Sequence, residues 1–250
     1  MNDRIASDWS VDRFGVLPDH HWSNPSRPWR DRDRDGGDRD PSFHSIVSMD
    51  VARSAGRDDR AIKRMRNDLF ELVEDALSDC GVDPQSLPYD DHGDGLRLVF
   101  APEILGPTRV IDLLVGGLAI GLREHRRQAS ATARIRLRVG FHIGLVIRHR
   151  GHWSGSALVV PARLLDAEPL REALRDDADV DLAVAVSDAM YQSVVRDRFG
   201  HFPPACYREI RVRVKEYDDR AWLLVPRPTC VCAMHEPGCA ARGAGTVRLD

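Results

Sequence analysis

Apolar residues recur along this chain in two rhythms, alternate positions and every third or fourth position, and the rhythm changes at glycine or proline. Phe43 to Asp50 predicts a strand that ends in a carboxylate where the chain leaves for a helix. Asp58 to Cys80 predicts that helix, with Ile62, Met65, Leu69, Leu72, Val73 and Ala76 on one stripe and Gly81 and Pro84 ending it. Tyr89 to Phe100 predicts a hairpin, because Gly93-Asp94-Gly95 supplies the positive φ of a tight turn and Leu96-Arg97-Leu98-Val99-Phe100 follows as a strand. A second helix is predicted from Pro107 to about Arg127, burying Val110, Leu113, Leu114, Leu118 and Leu122. Two strands are predicted at Arg134 to His142 and Leu145 to Arg148, then a helix from Ser156 to Arg175 interrupted near Pro169. Val180 to Val186 predicts a strand, Ser187 and Asp188 cap a helix to about Arg198, and strands at Ile210 to Val214 and Ala221 to Val225 close the body. Strands alternating with helices, with hairpins between, indicate an α+β sheet with helices packed on one face.

Outside this body the pattern fails. Residues 1–41 are rich in Asp, Arg, Pro and Gly and end in an alternating Arg-Asp run, a composition with too little apolar surface to offset the entropy of ordering. Such a tail is expected to be disordered, although Trp9, Trp22 and Trp29 are more than a solvating tail needs. Residues 227–250 have no periodicity and are expected to be a flexible tail. Cys230, Cys232, His235 and Cys239 lie close together there, but without the two-residue gap usual between paired zinc cysteines. The expected division is therefore 1–41 tail, 42–226 folded domain and 227–250 tail.

Composition narrows the function classes. With 250 residues and a hydrophobic fraction of 42%, the chain can bury a full core. A formal net charge of −3 gives no basic footprint for nucleic acid, and none is expected as a partner. No run of 18 apolar residues and no apolar signal core at the N-terminus appears, so no membrane association and a cytoplasmic location are expected. Five cysteines, an odd number without a secretion signal, argue against a disulfide framework.

Two carboxylates carry the candidate chemistry. If the strand ending at Asp50 lies beside the strand that follows Asp94, the two can share one divalent cation, since Mg²⁺ is held by one or two carboxylates plus substrate phosphates. The simpler reading is that Asp50 caps the next helix and Asp94 suits a turn.

Four segments, in order over about residues 43–226, resemble the class III nucleotidyl cyclases, the adenylate and guanylate cyclase homology domain. Asp50 at its strand end is followed 44 positions later by Asp94 in Gly93-Asp94-Gly95-Leu96-Arg97-Leu98-Val99-Phe100, similar to the family's metal-aspartate hairpin. Arg138-Val139-Gly140-Phe141-His142-Ile143-Gly144 is similar to its Arg-x-Gly-x-His-x-Gly strand pair. Gly155 to Leu164 resembles the helix start carrying the family's Asn and Arg, and Val214-Lys215-Glu216 stands where cyclases carry Val-Lys-Gly. The resemblance implies an α+β fold with a ferredoxin-like core, mostly antiparallel sheet and packed helices. It also implies a head-to-tail homodimer with each site at the interface. One subunit would give Asp50 and Asp94 to two Mg²⁺ or Mn²⁺ ions for two-metal catalysis, and the other Arg163. A ribose 3′-oxygen would then attack the α-phosphorus of an NTP and release pyrophosphate. Backbone N–H groups near Arg53 to Gly56 would hold the terminal phosphates, and Lys215 would lie near them.

The chain also departs from that pattern. The family's Asn, four residues before the Arg, is Val159, which cannot hydrogen-bond a ribose. The purine-reading Lys, four before the second aspartate, is Asp90, and its partner, eleven before the Arg, is His152, next to Trp153, whose indole could stack on a base. Two readings fit: a cyclase with a different base preference, resembling the pyrimidine cyclases of antiphage signalling and feeding a cyclic-nucleotide effector, or a degenerate domain that binds nucleotide or a partner as a regulatory module. Diguanylate cyclases and polymerase palm domains form a third class, with a second acidic pair beside the turn that Asp90 and Asp91 approach, but their Gly-Gly-Asp-Glu-Phe signature is absent.

Overall fold

A computed structural model describes residues 40–54, 56–87, 89–149, 152–197 and 199–226. Nearly all of both expected tails, with Trp9, Trp22, Trp29 and the Cys230, Cys232, His235, Cys239 cluster, lies outside the described residues.

Strand β1 (Ser42–Val51) leads into helix α1 (Asp59–Asp79). The helix starts where the Asp58 carboxylate accepts the Ala61 N–H at 2.7 Å, satisfying one of the unpaired donors of its first turn. Met65, Leu69, Val73 and Ala76 form its buried stripe, and Gly81, at φ +73°, turns the chain out of it. The hairpin follows as β2 (Tyr89–Asp91) and β3 (Gly95–Phe100), then α2 (Pro107–Gln128) with its proline in the first turn, then β4 (Leu137–His149). These four strands pair antiparallel in the order β2-β3-β1-β4, the strand order of a ferredoxin-like double split β-α-β unit. The short β5 (His152–Ser154) folds back on the end of β4 and is followed by α3 (Val159–Leu165) and α4 (Glu168–Asp176). Strand β6 (Leu182–Ser187) joins parallel to β4, and α5 (Asp188–Met190) runs on into a π-type turn. The hairpin of β7 (Tyr207–Val214) and β8 (Tyr217–Leu224) completes the sheet in the order β2-β3-β1-β4-β6-β8-β7.

The architecture is α+β, a mostly antiparallel sheet packed by helices. Three details differ from the hydrophobic pattern. First, helices lie on both faces. Helices α1 and α2 share a core with Val47, Met49, Leu96, Leu98, Val139, Phe141, Val184 and Val186, while Leu164, Leu170 and Leu174 of α3 and α4 pack on Ala183, Ala185, Ala221 and Leu223. All six residues of β6 are buried, and the alanines on its second face let the two short helices come close. Second, Arg134 to Arg148 is not two strands: residues from Leu137 on form one strand of 13 residues. Gly144 marks a close approach and not a turn, since a Cβ there would stand 2.6 Å from Ala157 Cβ. Third, the helix over Ser156 to Arg175 breaks at Asp166 and Ala167, which places Pro169 in the first turn of α4, where its missing N–H costs nothing.

Gly140 serves the second face in the same way as Gly144. A Cβ at that position would lie 2.5 Å from the Pro161 carbonyl oxygen and 3.2 Å from Leu164 Cβ, so β4 and α3 touch through bare backbone. Because a backbone oxygen cannot swing aside, Gly140→Val is expected to cost about 3 kcal/mol through overpacking, read as a lowered urea midpoint at unchanged slope.

Candidate functional site

Register places the two aspartates together. Asp50, one residue from the end of β1, pairs with Gly95, the first residue of β3, so Asp94 stands beside it at the same edge of the sheet. The approach is close: a Cβ on Gly95 would lie 2.2 Å from the Met49 carbonyl oxygen and 3.1 Å from Asp50 Cβ. The Val51 N–H donates to the Asp94 carbonyl oxygen at 2.9 Å, and the Ser54 hydroxyl donates to Asp94 Oδ2 at 2.5 Å. On the other side of Asp50, Arg138 of β4 gives a two-pronged contact, Nε to Oδ1 at 2.8 Å and Nη2 to Oδ2 at 2.6 Å.

Burial nonetheless lifts the Asp50 carboxyl to about 6 against the pull of Arg138, and the charges of Asp94 and Asp166 add to the rise. Among the described residues no group of three or more His, Cys, Asp or Glu side chains gathers to hold a cation, and the carboxylates offered at this place are the two of Asp50 and Asp94. That donor set fits Mg²⁺ or Mn²⁺, which take oxygen ligands and keep positions for substrate and water.

The loop from Ala52 to Asp58 bends through Arg53 at φ +58° and Gly56 at φ +90°, both exposed beside Ser54. The first turn of α1 already has the Asp58 carboxylate as its cap. Asp90 is the cross-strand partner of Arg97, and its Oδ2 accepts from Arg97 Nε at 2.9 Å and Nη2 at 2.5 Å.

The remaining residues lie elsewhere. Asp50 pairs with Arg138 near the start of β4, whereas Trp153 pairs with Arg148 near its end. Ten residues of strand at ~3.3 Å each separate those levels by roughly 30 Å, so within one chain His152 and Trp153 and the two aspartates cannot touch the same nucleotide. His152 is exposed, while Trp153 is half-buried against Ile46, Val99, Val146, Ala157 and Leu158. His44 meets the indole edge-on at 4.7 Å between ring centroids, and the Arg148 guanidinium carbon lies 5.7 Å from its centre.

Arg163 is buried on α3 with 6% of its side chain exposed. Its Nε and Nη2 donate to Glu216 Oε1 at 3.3 and 2.8 Å. Glu216 and Lys215 form the two-residue turn between β7 and β8, with Lys215 at φ +54°. Val159, where the family's Asn is expected, is exposed at the start of α3.

Sequence reasoning assigned no role to Arg138, Ser54, Arg97 or Glu216, yet each is the partner of a candidate residue. The missing signal for Arg138 was face parity: it alternates with Leu137 and Val139 of the core and therefore points where Asp50 points. His142 takes the same face, its Nδ1 2.8 Å from Ser187 Oγ, the hydroxyl that caps α5 by accepting the Met190 N–H. Burial lowers this imidazole from 6.5 to about 4. The unfolded chain binds that proton below about 6.5 and the folded chain only below about 4, so stability is level above 6.5 and falls as pH drops between the two values. The loss approaches about 3 kcal/mol at the limit, and His142→Gln is expected to flatten the slope in urea titrations at pH 4.5 and 7.

Among the described residues, no helix is long and apolar enough to cross a membrane. No protein-family model and no curated sequence matches the chain. Solved structures do match. An adenylate/guanylate cyclase/hydrolase from Silicibacter pomeroyi is 19% identical, with a TM-score of 0.53 over 75% of this chain and 99% of that one. The guanylyl cyclase Cya2 is 15% identical at TM-score 0.54, covering 77% of this chain and 97% of that chain. A bacterial light-regulated adenylyl cyclase is 14% identical at TM-score 0.50, covering 79% and 98%. The described body has the fold of these cyclase domains.

Proposed function

We propose that residues 42–226 form a nucleotidyl cyclase domain that converts an NTP into a 3′,5′-cyclic NMP and pyrophosphate, working as a homodimer. The observation that carries this reading is the register of β1 and β3, which sets Asp50 and Asp94 side by side at one edge of a cyclase-type sheet. In it, Asp50 and Asp94 hold Mg²⁺ or Mn²⁺, with Arg138 and Ser54 fixing the two carboxylates. A divalent cation at such a site neutralises phosphate charge and lowers the pKa of an attacking hydroxyl. Arg163 contributes a planar donor fork to the phosphoryl oxygens as charge builds on them.

The roughly 30 Å between the aspartates and His152 and Trp153 favours sites shared across a two-fold axis, because antiparallel apposition brings the Asp50 end of one subunit to the His152 end of the other. Arg53 and Gly56 lie on the loop that would take the terminal phosphates, and Lys215 on the turn beside Arg163. Base choice then falls to Asp90 with its Arg97, and to His152 and Trp153. None of these reproduces the purine-reading Lys, which leaves a pyrimidine base and a signalling or defence role as the finer reading.

Incubating the protein with each of the four NTPs and Mn²⁺, then resolving products by mass, tests this directly. A 3′,5′-cyclic product with one pyrophosphate per turnover is expected from one NTP above the others. Val159, which cannot hold a ribose hydroxyl, favours a second reading in which the domain binds nucleotide as a regulatory module. Unchanged NTP with measurable binding would establish that one instead.

A further inference from the structure

The charge of Arg163 is already matched by a carboxylate from a distant turn. Glu216 is 68% exposed and could be fully hydrated, yet one of its oxygens takes both Nε and Nη2 of a guanidinium that is almost wholly buried. The turn fixes the backbone from which that carboxylate reaches. Val214 pairs with Tyr217 and Lys215 takes the left-handed conformation, which holds the backbone of Glu216 within reach of Arg163 while its exposed side chain is free to turn aside. Arg163 in turn holds the Glu216 carboxyl below its usual range, so it stays ionised across the working pH range.

A triphosphate arriving at Arg163 meets a negative charge on the same donors it needs. We propose that Glu216 sets the nucleotide affinity of the site by competing with substrate phosphates for Arg163, acting as a positioning residue whose carboxylate must be displaced before the fork can engage. This rests on the cyclase reading of Arg163. In physical terms the pair keeps a buried cation satisfied, and the cost of breaking it is subtracted from the binding of any anion. A neutral amide at 216 keeps the shape and one acceptor but removes the repulsion.

The test is a pair of readouts on the full chain. Binding of each of the four NTPs is measured by calorimetry in Ca²⁺, and steady-state turnover in Mn²⁺, for wild type, Glu216→Gln and Glu216→Gly. Both variants are expected to bind the preferred nucleotide at least about threefold more tightly and to lower KM by a similar factor, while kcat changes less than KM. Glu216→Gln separates charge from packing, because a purely structural partner of Arg163 would leave affinity unchanged on that substitution and lower thermal stability on Glu216→Gly. Wild-type binding and turnover with unaltered or weaker affinity in Glu216→Gln overturns the competition and leaves the cyclase reading standing. Absence of binding and turnover in all three chains overturns both.

Discussion

Asp94→Ala is expected to reduce metal-dependent turnover by about 10³-fold, because a lost cation contact removes several kcal/mol of stabilisation from the charged transition state and each 1.36 kcal/mol is a factor of ten. The reasoning depends on how little else Asp94 does. Its side chain is half-buried, accepts one hydrogen bond from Ser54, and leaves the Val51 backbone contact intact when truncated. The fold should therefore survive, and a thermal unfolding midpoint close to wild type would show that chemistry alone was lost. Asp50→Ala should abolish turnover as well, with a less clean signature. Removing Asp50 strands the Arg138 guanidinium, whose side chain is only 15% exposed, and breaking such a pair costs about 3 kcal/mol in stability. Unaltered activity in both variants would defeat the site assignment, and loss of stability without loss of Mn²⁺ affinity would reduce the aspartates to scaffold.

Mixing inactive chains is the second large effect. If one subunit supplies Asp50 and Asp94 and the other Arg163, an Asp94→Ala chain paired with an Arg163→Ala chain builds one site with both defects and one with neither. Random pairing makes half the dimers mixed, each with one intact site of two, so about a quarter of wild-type activity is expected to return. The separation along β4 bears on Trp153 and not on Arg163, because α3 packs on Gly140, two residues from Arg138, so the mixing experiment tests the shared site itself. The strand carries Arg138, bound to Asp50, near one end and Arg148, paired with Trp153, near the other. Absence of recovery in a mixture shown by mass to contain mixed dimers would remove the shared-site arrangement while leaving single-subunit metal binding to be judged separately.

Much of this geometry was legible in the hydrophobic pattern, and what was missed shares a physical cause. Periodicity located α1 and α2 to within a residue or two because each has a single buried stripe, a proper cap or a first-turn proline, and a glycine or change of rhythm at its end. It divided β4 at Gly144 because a glycine in a strand reads equally as a turn or as a place where another chain segment comes close, and only the packing of Ala157 decides between them. The second helical layer was hidden for the same reason that β6 is uniformly apolar: a strand buried on both faces has no polar alternation to reveal what lies on either side.

The site divides along similar lines. Asp50 and Asp94 stand out because they interrupt strong local patterns at strand ends, and their pairing follows from register. Ser54, Arg97 and Glu216 gave no local sign, since each acquires meaning only from a partner 7 to 53 residues away, and Arg138 takes its role from Asp50, 88 positions earlier. Face parity along β4 could have nominated Arg138. Nothing in the sequence near Glu216 points to Arg163, 53 positions earlier.

Everything proposed for catalysis depends on Asp50 and Asp94 holding a common cation next to a bound triphosphate. The direct measurement is a crystal grown with Mn²⁺ and a non-cyclisable NTP analogue, with anomalous scattering recorded at the manganese edge. An anomalous peak within bonding distance of carboxylate oxygens from both residues, touching the phosphates and facing Arg163 of a second subunit, is the expected result. Manganese bound elsewhere, or a triphosphate seated away from this edge of the sheet, would contradict it.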